Sequence, residues 1–194
     1  MPFNIPILLT WLRVALIPLV VGVFYLPDTW LAPVAKGLAS TVIFIVAAIT
    51  DWIDGYLARR WNETSAFGAF LDPVADKLMV AGALLVLVEF RGVSAVLAFI
   101  IIGREIAISA LREWMAQIGA SKSVAVSSLG KIKTIAQMVA IPMLLYHGLL
   151  FGVIDTVLWG TLLLWIAAVL TVWSMFYYLR KAWPLIKENA GRIS

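Results

Sequence analysis

The chain has no cysteine and a single histidine, His147, among its 194 residues. No thiolate nucleophile, thiolate-held zinc or iron–sulfur cluster can form within it. His147 falls at the far end of an apolar stretch, where a membrane-interface residue is expected rather than a catalyst or metal ligand. Charge is scarce too: 13% of residues are charged and 63% hydrophobic, with a mean hydropathy of +0.99. That composition excludes a water-soluble globule with a polar surface. The N-terminus lacks a basic leader region and a small-residue cleavage site, so it reads as the start of a retained helix. There is no internal repeat, low-complexity tract or second-domain boundary, and residues 1–194 read as one membrane domain.

What is abundant is long apolar runs. Six of them, at residues 5–26, 34–58, 69–90, 93–113, 131–151 and 154–179, approach the ~20 residues that cross a bilayer core. The expected fold class is an all-α membrane protein with six transmembrane helices. Arg13 and Pro18 interrupt the first span, and Pro142 is expected to bend the fifth. Arg59, Arg60, Lys122, Lys131, Lys133, Arg180, Lys181, Lys187 and Arg192 fall on one side of this topology, with only Lys36 and Arg91 on the other. The positive-inside rule makes the basic side, and with it both termini, cytoplasmic. Residues 180–194 read as a short cytoplasmic tail, either extended or an interfacial helix. The net charge of +4 fits attraction to anionic lipid headgroups, not nucleic-acid binding.

Against this background, Asp51, Asp54, Asp72 and Asp76 need a reason. A charged side chain at the centre of a membrane helix costs roughly 2.5–3.5 kcal/mol, so four uncompensated carboxylates would cost on the order of 10–14 kcal/mol. At about 100° per residue, Asp51 and Asp54 lie roughly 60° apart on one helix, and Asp72 and Asp76 roughly 40° apart on the next. The short connection from Arg60 to Phe67 predicts that these helices are antiparallel neighbours, with all four carboxylates in one pocket near the cytoplasmic leaflet. Carboxylates without thiols or imidazoles suit hard cations, Mg²⁺ or Mn²⁺, and two such ions would balance the four charges.

Asp51, Asp54, Gly55, Ala58, Arg59, Gly68, Asp72 and Asp76 reproduce the spacing D-x2-D-G-x2-A-R-x8-G-x3-D-x3-D. In this the chain resembles the CDP-alcohol phosphotransferases, a family of six-helix membrane enzymes that are often homodimers. The segments around Arg104-Glu105-Ile106, Ser109 to Trp114, Val124 to Ser127 and Gly130 to Thr134 look like its bacterial phosphatidylglycerophosphate synthase branch. The resemblance implies a bacterial inner-membrane enzyme that transfers the phosphatidyl group of CDP-diacylglycerol to sn-glycerol 3-phosphate and releases CMP. It implies that Asp51, Asp54 and Asp72 are metal ligands and that Asp76 both touches a metal and accepts the hydroxyl proton. It further assigns Thr10, Asp51, Gly55, Ala58, Arg59 and Ser65 to CDP-diacylglycerol. In one place the chain departs from the pattern: the family's P-N-x-L-T-x-x-R is Pro6-Ile7-Leu8-Leu9-Thr10-Trp11-Leu12-Arg13 here, so Ile7 removes an amide contact that Asn4 is the nearest residue to replace.

An anionic acceptor needs cations. Arg104 and Arg112 lie about 80° apart on a helix and can line one face, whereas Lys131 and Lys133, about 200° apart, do not both face one pocket. These four are the candidate glycerol-phosphate residues. Three rival readings exist: the same donor with inositol phosphate, serine or phosphatidylglycerol as acceptor; an intramembrane prenyltransferase, whose Asp clusters are spaced differently; and a divalent-cation transporter, which would need a path through the membrane.

Overall fold

The computed structural model describes residues 5–61, 66–118 and 128–190. Six helices run through them: α1 (Ile5–Tyr25), α2 (Pro33–Trp61), α3 (Ala66–Arg91), α4 (Ala95–Gln117), α5 (Ser128–Tyr146) and α6 (Thr156–Ala190). Two-residue strands, β1 (Leu149–Leu150) and β2 (Ile154–Asp155), pair antiparallel between α5 and α6. The expected all-α architecture is thus present. Among the described residues three stretches, Leu8–Tyr25, Pro33–Leu57 and Thr156–Pro184, are long and apolar enough to cross a membrane, against the six expected. Among the described residues, buried polar side chains occur on α1 (Thr10, Arg13), α2 (Lys36, Ser40, Thr41, Thr50, Asp54), α4 (Arg104), α5 (Lys133, Gln137) and α6 (Thr156, Thr171, Ser174), while Asp72, Asp76 and Glu105 are half-buried.

Packing is inverted relative to water-soluble proteins. Small and aliphatic residues such as Ala47, Ala83, Leu84, Leu87, Ile101, Ala140, Leu144 and Leu164 fill the core, while Trp30, Trp52, Phe99 and Trp173 lie exposed on the outside. Lipid tails are as apolar as these side chains, so association rests on close packing and internal polar contacts. Gly37 illustrates the first: a Cβ there would stand 2.7 Å from the Leu145 carbonyl oxygen and from Arg91 Nη2, so only glycine lets these elements meet.

One expected adjacency is replaced by another. Despite the short connection between them, α2 and α3 pack against α1 rather than along each other. The connection limits how far apart their ends lie, not what fills the gap, and α1 fills it. The span ends also move. Helix α5 stops at Tyr146, because His147, Phe151 and Gly152 adopt positive φ and fold the chain into the hairpin. Thr156, buried at its base, accepts a hydrogen bond from the Gly148 amide at 3.0 Å and donates one to the Gly148 carbonyl at 2.8 Å. Asp155 caps α6 by accepting from the amides of Val157 and Leu158 at 2.9 and 3.1 Å. At its other end α6 continues past residue 179 to Ala190, so most of the expected tail belongs to the same helix.

Candidate active site

The four aspartates do gather, and they gather on α1. Arg13, the one charged residue in that helix, is completely buried. Its Nη1 lies 2.5 Å from Asp51 Oδ1 and 3.0 Å from Asp76 Oδ1, and its Nη2 pairs with Asp54 Oδ2. Thr10, three residues earlier and so on the same face, donates to Asp72 Oδ1 at 2.8 Å. Every carboxylate of the set therefore has a partner on α1, two helices being tied through a third. Asp54 is buried, while Asp51 and Asp76 keep about a third and two fifths of their side-chain surface open.

Charge does not close at this site. Among the described residues three carboxylates pair with the one guanidinium and the fourth is held by Thr10, and the buried Arg13 Nε has no hydrogen-bond partner there. Among the described residues no three His, Cys, Asp or Glu side chains are drawn together as a preformed metal cluster; the guanidinium holds the centre instead. The donor set nevertheless fits a hard divalent cation, being all carboxylate oxygen, in negative surplus and partly open. Gly55 follows Asp54 in α2 and is half-buried. The side chains of Ala58, Arg59 and Lys131, and all of Ser65 and Asn4, lie outside the described residues.

A second, basic group stands on α4, α5 and α6. Arg104 is buried and donates from Nη2 to Ser174 Oγ at 2.7 Å; its Nη1 is 3.4 Å from Glu105 Oε1. Lys133, also buried, donates to the same Glu105 oxygen. Arg112 donates to Tyr178 Oη at 3.3 Å, and the guanidiniums of Arg104 and Arg112 lie 5.8 and 5.3 Å from the centroid of the buried Tyr178 ring. Arg104 and Arg112 thus share one side of α4, as their spacing predicted, and that side is organised by α6. The two groups adjoin. Between α3, α4 and α5 lies a cavity of about 230 Å³ whose lining includes Asp76, Lys77, Glu105, Thr134 and Gln137.

Sequence reasoning passed over Arg13, Glu105, Gln137, Ser174 and Tyr178 as site residues. Arg13 had a signal: an isolated charge in an apolar span requires a partner, and four candidates were at hand. Glu105 had one as well, an acid set beside Arg104 in an apolar helix. Ser174 and Tyr178 had none, because only the packing of α6 on α4 brings them in.

The model of the CDP-alcohol phosphatidyltransferase family matches residues 3–173. Over 184 residues, covering 94% of this chain and 96% of theirs, the chain is 55% identical to a CDP-diacylglycerol–glycerol-3-phosphate 3-phosphatidyltransferase of Pectobacterium atrosepticum. Over the same coverage it is 54% identical to one from Shigella flexneri and 53% identical to one from Escherichia coli K12, both with that name.

Proposed function

The chain belongs to the CDP-alcohol phosphatidyltransferase family, and from that premise we propose that it transfers the phosphatidyl group of CDP-diacylglycerol to sn-glycerol 3-phosphate, giving phosphatidylglycerophosphate and CMP. The observation that carries this reading is the adjacency of the two groups: one cavity is lined by Asp76 of the carboxylate group and by Glu105, which pairs with Lys133 and Arg104 of the basic cluster. The relatives named for this reaction, similar over nearly the whole chain, support the choice of acceptor.

Each residue then has a task. Asp51, Asp54, Asp72 and Asp76 would hold divalent cations, two Mg²⁺ ions with Mn²⁺ as the alternative. When bound, such ions neutralise the diphosphate of the donor as the bond to CMP weakens. Asp76 accepts the proton of the attacking hydroxyl, whose oxygen bonds to the phosphatidyl phosphorus while the phosphorus–oxygen bond to CMP breaks and CMP leaves with the electron pair. Phosphoryl transfer depends chiefly on positioning and charge, so a carboxylate of ordinary basicity suffices. Arg13 holds the carboxylates in register, and Thr10 orients Asp72. Thr10, Asp51, Gly55, Ala58, Arg59 and Ser65 are assigned to the nucleotide and diphosphate of the donor. Arg104, Arg112, Lys133 and Lys131 supply positive charge for the acceptor phosphate.

All six helices cross the bacterial inner membrane in this reading, with the active site and both termini cytoplasmic and the chain paired as a homodimer. The basic asymmetry supports the orientation. The two exceptions on the opposite side are occupied internally: Lys36 by the carbonyls of Phe24 and Leu26 and by Asp28, Arg91 by the ring of Phe24.

The test is product analysis of the purified enzyme with CDP-diacylglycerol, Mg²⁺ and a panel of alcohols. Glycerol 3-phosphate should give CMP and phosphatidylglycerophosphate in equal amounts, and chelation should abolish both. Turnover with serine, inositol phosphate or phosphatidylglycerol in its place would reassign the acceptor.

A further inference from the structure

The cavity between the two charged groups contains a side chain that nothing in the reaction as described uses. Gln137 of α5 is 4% exposed and lines that cavity, and among the described residues its amide nitrogen has no hydrogen-bond partner. A buried amide donor left unmade is costly, and native interiors seldom tolerate one without a water or ligand to receive it. Its surroundings say what that ligand offers. Lys133 lies one turn earlier on the same side of α5 and is bonded to Glu105, which lines the cavity as well. Asp76, on α3, lines it too. Asp76 and Gln137 stand ten and nine residues in from the starts of their helices, about 15 and 14 Å at ~1.5 Å per residue.

Glycerol 3-phosphate carries three polar groups. The attacking primary hydroxyl goes to Asp76 and the phosphate to the cations, which leaves the secondary hydroxyl, on the carbon between them, without a partner. A carboxamide offers neutral N–H donors and a carbonyl acceptor, either of which a hydroxyl can meet, and costs no charge in an apolar surround. We propose that Gln137 is a specificity-determining residue that donates its side-chain N–H to the secondary hydroxyl of the acceptor and so selects a three-carbon phosphate ester bearing that group. This assignment rests on glycerol 3-phosphate being the acceptor.

The experiment compares sn-glycerol 3-phosphate with 3-hydroxypropyl phosphate, which keeps the attacking hydroxyl and the phosphate and lacks only the secondary hydroxyl. With CDP-diacylglycerol as donor, the unaltered enzyme should favour glycerol 3-phosphate by about 10- to 100-fold in kcat/KM. In Gln137→Leu that preference should fall to within a few-fold, through loss of the glycerol 3-phosphate rate, with 3-hydroxypropyl phosphate turnover and the KM for CDP-diacylglycerol unchanged. A merely structural role would lower both acceptors together, and an unchanged ratio in the variant overturns the assignment. Should Gln137→Leu not accumulate in membranes, the unaltered enzyme still decides: equal use of the two acceptors overturns the proposal. An enzyme that turns over another alcohol and neither of these overturns the acceptor reading, and this assignment with it.

Discussion

Two buried cations, one at each end of the bundle, are held in opposite ways. Lys36, near the start of α2, donates to the carbonyls of Phe24 and Leu26 at the end of α1 and to Asp28 at 2.6 Å. One cation meets one carboxylate and the orphan carbonyls that every helix leaves at its C-terminus. Arg13 meets three carboxylates directly while a fourth is held next to them by Thr10. The first arrangement is complete in itself; the second is in deficit of positive charge. An apolar protein tolerates such a deficit only where something from outside completes it, and this asymmetry separates a structural ion pair from a working site even though both look like salt bridges.

The comparison breaks most sharply at Asp76. If the acidic end is a reaction centre, Asp76→Asn should lower kcat by about 10²–10⁴-fold, since a positioned base is lost. The KM for CDP-diacylglycerol and the Tm in detergent should barely change. Wild-type turnover would remove Asp76 from proton transfer and make the two ends equivalent.

Arg13→Met sharpens it next. Removing the buried guanidinium leaves like charges facing one another, which should cost about 3–5 kcal/mol of stability and show as a lowered Tm. Because divalent cations can take over the neutralisation, Mg²⁺ should raise the Tm of Arg13→Met more than that of the unaltered protein. Equal Mg²⁺ effects in both would mean that Arg13 and the metals do not serve the same carboxylates.

Lys36→Met should do least. Asp28 is exposed and can turn to water, so the loss is confined to the two α1 carbonyls, about 1–3 kcal/mol. Transfer kinetics at saturating substrates should be unchanged. A drop in kcat comparable with that of Asp76→Asn would show that the two ends are not independent.

How far all this could be read from the chain follows from the range of the forces involved. The carboxylates were legible because their grouping is set by helical period over a few residues, and hydropathy located the helices because each is a contiguous apolar run. The insertion of α1 between α2 and α3 was not legible, since loop length limits distance without specifying neighbours; Arg13 accordingly read as an interruption of a span instead of its reason. The hairpin after α5 was hidden by Leu149, Leu150, Phe151, Val153 and Ile154, which are as apolar as a helix end. Gly148 and Gly152 were its only local marks. Arg180, Lys181 and Lys187 suggested a tail, yet polar residues continue a helix as readily as they end one, and α6 runs on through Pro184. The Arg104 and Arg112 alignment followed from spacing, while Ser174 and Tyr178 required the tertiary contact of α4 with α6.

The clasp of Thr156 on Gly148 bears on the order in which the molecule assembles. It closes α5 onto α6 across nine intervening residues, so bringing this pair together costs little loop-closure entropy. Local contacts form ahead of distant ones, and the pair brings Lys133, Ser174 and Tyr178 onto one preassembled hairpin. A loosened turn between α5 and α6 would therefore weaken the packing around the basic cluster without touching a single residue of it.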